Sequence, residues 1–165
     1  MHVWNTAIVL VGLAAAASLL RMRSTFSALE KFLYFMVLII AHEHLHTAIA
    51  GNLKLLAITD RLSTFAFYQI CQLVVFPIVA LWLMYIWFQP RARVHLLLKM
   101  AATAGWLWGL NGLYLYMHAQ DIVKFTGWNW RYLVCQWLAV LALSLGFALW
   151  FRKRPGKRDR DAAAA

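Results

Sequence analysis

The run Ile39-Ile40-Ala41-His42-Glu43-His44-Leu45-His46-Thr47-Ala48 puts three imidazoles and a carboxylate into a stretch that is otherwise apolar. Glu43 is one of only two glutamates in the chain, the other being Glu30. At ~100° per residue on a helix, His42 and His46 stand about 40° apart and can offer two ring nitrogens to one metal ion. His44 is turned ~200° from His42, toward a different neighbour. His42-Glu43-x-x-His46 is a literal H-E-x-x-H, in which the histidines bind zinc and Glu43 acts as general base on the metal-bound water. A charged group at bilayer depth costs at least ~2.5–3.5 kcal/mol, so this cluster marks a functional site by default.

A catalytic zinc takes three protein ligands and leaves one position for water. His118 and Asp121, spaced (i, i+3) at the end of a later apolar stretch, are the expected further ligands, with His118 preferred. Asp60, beside Arg61, reads as a loop ion pair or a helix cap. His2 and His95 fall at the terminus and at the opposite end of the bundle, so neither joins the set. Zinc suits the imidazole and carboxylate donors. The same residues support three other readings. A b-type haem would be held by His44 or His46 together with His118. In a transporter, Glu43 and the histidines would relay protons or bind a cation. In a purely structural cluster they would bond to Asn111, Gln69 or Gln72, at ~0.6–2 kcal/mol per bond.

The elements that must position these groups are membrane spans. Of 165 residues, 64% are hydrophobic and 13% charged, with a mean hydropathy of +0.65. An ordinary soluble domain is roughly 45–50% apolar and ~25% charged, so a soluble fold is excluded. Five stretches reach the ~20 apolar residues needed to cross a bilayer, namely 3–20, 32–53, 63–88, 94–117 and 130–151. No basic region precedes the first, and its alanines at 14–17 lead into Arg21 and Arg23, so it reads as a retained span and not as a signal peptide. The expected fold is all-α: a polytopic membrane helical bundle of about five transmembrane helices. It forms one domain over residues 1–151, followed by a basic, disordered tail over 152–165.

Twelve of the 16 Lys and Arg residues fall on alternate connections and the tail, against Lys54, Arg61, Lys124 and Arg131 on the other side. The positive-inside rule then predicts a multi-pass protein of the cell membrane with its N-terminus outside and its tail in the cytoplasm. The net charge of +10 is spread over loop ends and this tail, so nucleic acid is not an expected partner. Anionic lipid headgroups at the tail are, at ~1 kcal/mol per basic residue. Within the spans, Pro77 predicts a kink. Gly105, Gly109 and Gly112 read first as a helix-packing face, with room for a substrate as the alternative. Cys71 and Cys135 read as small buried hydrophobes, a disulfide or metal ligands, in that order.

The segment Ile40-Ala41-His42-Glu43-His44-Leu45-His46-Thr47-Ala48 resembles zinc metallopeptidases of the membrane-embedded site-2-protease type, whose H-E-x-x-H lies on an apolar helix and is followed by small residues. The resemblance covers about a dozen residues and implies an intramembrane metallohydrolase acting on a membrane-embedded substrate. That family draws an Asp ligand from a later Asp-Gly segment, to which Asn111-Gly112 is the nearest match. A fainter likeness covers Val74-Val75-Phe76-Pro77-Ile78-Val79 and Thr126-Gly127-Trp128-Asn129-Trp130, which are similar to small multi-pass proteins of spore-forming Gram-positive bacteria. It implies a bacterial source and no mechanism.

Overall fold

The computed structural model describes residues 3–19, 25–59, 61–88 and 96–153. Asp60, His2, His95 and the tail beyond residue 153 lie outside the described residues, so what the sequence predicted of them has no structural counterpart here.

The described chain is mostly helical. Helix α1 spans Val3–Ser18, α2 Ala28–His46, α3 Leu62–Ile70, α4 Phe76–Phe88, α5 Leu96–Ala119 and α6 Trp130–Lys153. A π-helical turn, Thr47–Asn52, extends α2, and a second, Cys71–Val75, joins α3 to α4. Three continuous helical stretches, Ala28–Ile49, Leu62–Phe88 and Trp130–Lys153, are long and apolar enough to cross a membrane. α5 has 24 residues, but Lys99, Asn111, His118 and its glycines dilute its apolar character. α1 has 16 residues and is shorter than a full crossing. The expectation of about five spans is thus matched by three helices that qualify by length and composition.

Local chemistry explains the boundaries. α2 starts at a capping box: the Ser27 hydroxyl accepts from the Glu30 N–H at 3.2 Å, while the Glu30 carboxylate accepts from the Ser27 N–H at 2.7 Å. Pro77 has no N–H to give the carbonyl of the preceding turn, and the helix widens just before it, the Phe76 N–H reaching back to Cys71 O. The predicted kink site is therefore a π turn.

The all-α expectation misses one feature, an antiparallel ribbon of two strands, β1 (Leu56–Ile58) and β2 (Val123–Phe125). Leu56 pairs with Phe125, Ala57 with Lys124 and Ile58 with Val123. Lys54 and Asp121 each take a positive φ, 52° and 54°, which turns the chain sharply out of the preceding helix. The short apolar runs beyond these turns have too few residues for a helix and satisfy their backbone by pairing. Gly127 is needed beside the ribbon because a Cβ there would lie 3.0 Å from Leu55 Cδ2.

α2 is the central element and packs mainly on α6 and α4, while α1 lies against the Cys71–Val75 turn and α4. Gly12 makes that approach close, since a Cβ on it would meet Val75 Cγ2 at 2.7 Å. A Cβ on Gly105, Gly109 or Gly112 would meet nothing within 4 Å, so the glycine face of α5 makes no close helix contact among the described residues. Cys71 is buried, Cys135 is exposed, and both are free thiols.

Candidate functional site

The (i, i+4) spacing puts His42 and His46 on the inner face of α2, where His42 is fully buried and His46 nearly so. Their rings stack at 5.6 Å between centroids. His42 lies flat on Trp137 at 4.4 Å and edge-on to Phe76, while Tyr68 and Trp128 flank His46. Aromatic rings from four other segments thus enclose the pair.

Every ring nitrogen of the pair has a partner. Gln136 Nε2 on α6 lies 3.1 Å from His42 Nδ1 and 3.5 Å from His46 Nδ1. His42 Nε2 meets Gln72 Oε1, and His46 Nε2 meets the Tyr68 hydroxyl. Gln72 Nε2 in turn donates to the Tyr114 hydroxyl at 2.8 Å. The orientations of the Gln136 and Gln72 amides in the structure set the tautomers. The two N–H bonds of the Gln136 amide serve the two Nδ1 lone pairs, so both neutral imidazoles carry their proton on Nε2. His42 Nε2–H donates to Gln72, and His46 Nε2–H donates to Tyr68. Gln136 Oε1 has no partner among the described residues.

Glu43 stands one step round α2 and does not join this network. It lines a cleft of about 210 Å³ with His46, Tyr68, Gln69 and the β1 residues Leu56 and Ile58. No hydrogen bond or ion pair holds its carboxylate among the described residues. His44 is exposed and its Nδ1 bonds back to Ile40 O at 2.8 Å. The predicted further ligands are placed at the ribbon: His118 stacks on Phe125 at 4.3 Å with Nδ1 at 3.0 Å from Val123 O. Asp121 is exposed, and its backbone carbonyl accepts from the Thr59 hydroxyl.

The structure therefore converges two predicted ligands, His42 and His46, on one point, but the nitrogen at that point belongs to an amide. Among the described residues, no three His, Cys, Asp or Glu side chains come together as a metal-holding group. This donor set falls one short of the three protein ligands of a catalytic zinc centre. Sequence reasoning named Gln72 as a partner in a structural cluster and missed Gln136, Tyr68 and Tyr114. The signal for Gln136 is its position: a glutamine inside the apolar run of α6, where burial without a partner is expensive. Tyr68 and Tyr114 carry no such signal, because a tyrosine in a span is equally at home at an interface.

Compared with known protein families, curated proteins and solved structures, the chain matches none.

Proposed function

We propose that this chain is a non-enzymatic multi-pass membrane protein that binds a proton or a small cation at Glu43. The observation that carries this reading is the unpartnered Glu43 carboxylate, set in a cleft beside His46 and Tyr68 within an apolar span. An intramembrane carboxylate with no hydrogen bond or ion pair among the described residues is held at a cost, and a charge or proton arriving through the cleft offsets that cost. Of the buried pair, His46 forms part of the lining of this cleft. The reading includes five crossings, with α1 and α5 completing the three longer apolar stretches. It places the N-terminus outside and the basic end in the cytoplasm against anionic headgroups, on the Lys and Arg asymmetry.

The test is charge displacement on solid-supported proteoliposomes. Rapid addition of protons, sodium or an alkylammonium ion gives a transient current with the unaltered protein. Glu43→Gln keeps the fold and the size of the side chain and abolishes the transient. An equal transient in Glu43→Gln, or none in the unaltered protein, removes this reading.

A zinc-dependent, peptidase-like membrane hydrolase is the second reading, with Glu43 as its base. It is favoured by one observation, the convergence of both Nδ1 atoms on Gln136 Nε2. Elemental analysis of the same preparations separates the two: one equivalent of zinc that is lost in His42→Ala supports the hydrolase, and metal-free protein with a Glu43-dependent transient supports the first.

A further inference from the structure

Apart from the Glu43 cleft, α5 and α6 bound an apolar groove of about 680 Å³ beside β2. Ala104, Leu107 and Leu115 line it from α5, Trp130 and Val134 from the start of α6, and Trp128 from the segment just before α6. From Ala104 to Leu115 the helix axis advances about 16 Å, close to half of a hydrocarbon core ~30 Å thick. Trp128 and Trp130, of the kind that settle at the headgroup level, line it near the ribbon.

Its mouth is cationic. The Arg131 guanidinium lies 5.9 Å from the centroid of the Trp130 ring, which is itself part of the wall. Arg131 is exposed and makes no ion pair among the described residues.

We propose that this groove holds one acyl chain of a glycerophospholipid from the leaflet at the ribbon end, with the lipid phosphate on Arg131. The length matches a chain from one leaflet, whereas a helix from a second copy would need a contact along the full crossing. The unpaired cation at the mouth complements a phosphate, and Arg presents the planar donor fork that phosphate oxygens accept. Asn111, the polar side chain part-way along the α5 wall, offers an amide N–H to an ester carbonyl. The proposal depends on the protein crossing a bilayer and is independent of what Glu43 binds.

Native mass spectrometry of the detergent-purified chain, titrated with phosphatidylglycerol, tests it. One tightly retained lipid per chain is expected. Val134→Trp, which fills the groove, removes that lipid, and Arg131→Gln, a surface change that leaves the fold intact, weakens its retention severalfold. Unchanged retention in both variants overturns the proposal. So does a dimer that Val134→Trp dissociates, because the groove would then belong to a second copy.

Discussion

Two polar sites on α2 solve the same problem in opposite ways. At its start, Glu30 pairs with Arg152 at the end of α6, with Nε at 3.0 Å from Oε1, while Nη2 donates to Thr25 O at 2.6 Å. The guanidinium also lies over Phe26 and Phe88, at 5.1 and 4.8 Å from the ring centroids. About 18 Å further along the helix, His42 and His46 are joined to α6 and the Cys71–Val75 turn without any formal charge. The difference follows exposure. The Arg152 and Glu30 side chains keep 31% and 12% of their surface, so part of their hydration survives pairing, whereas His42 keeps none. A buried ion pair would have to recover the full desolvation cost of both charges, which neutral imidazole, amide and phenol partners avoid.

Breaking the dry site should have the largest effect. Gln136→Leu keeps the volume but removes the donor shared by both Nδ1 atoms, and two buried acceptors without partners should cost about 2–4 kcal/mol, measured by equilibrium unfolding in mixed micelles. The loss should not change with salt. A loss below that of the Glu30–Arg152 clasp would mean that the histidine network contributes less than its burial implies. Arg152→Ala should cost about 1 kcal/mol, because the pair is partly hydrated and the two ring contacts go with it. Its cost should shrink as ionic strength rises, and Arg152→Lys should recover only part, lacking the fork and the flat face. A salt-independent Arg152→Ala effect would place the clasp in the same class as the histidine network. The smallest effect belongs to His44, exposed and bonded only to its own helix. His44→Ala should change stability by less than about 0.5 kcal/mol and leave the Glu43-dependent current intact.

The placement of His42 and His46 on one face, and of His44 away from them, was legible in the sequence because helical periodicity alone decides it. The approximate course of each apolar helix was legible for a similar reason. The β1–β2 ribbon was not, since three-residue runs such as Leu56–Ile58 carry no period of their own and depend on a distant partner, as Ala57 depends on Lys124, 67 residues away. The glycines at 105, 109 and 112 show the converse: their spacing permits a close helix contact, yet only the position of neighbouring helices decides whether one forms.

The sequence by itself determined that this is a membrane-type helical chain, because apolar content and span length answer to the solvent and not to any particular contact. It also determined that two imidazoles would share a side of α2, with Glu43 one step round from them. Tertiary structure alone decided what meets that pair. A helix pattern states which way a side chain faces but not what arrives from α6 94 residues later, and here Gln136 brings a neutral donor where a metal ion or a third ligand had been expected. The same packing left Glu43 facing a cleft with no hydrogen bond or ion pair among the described residues.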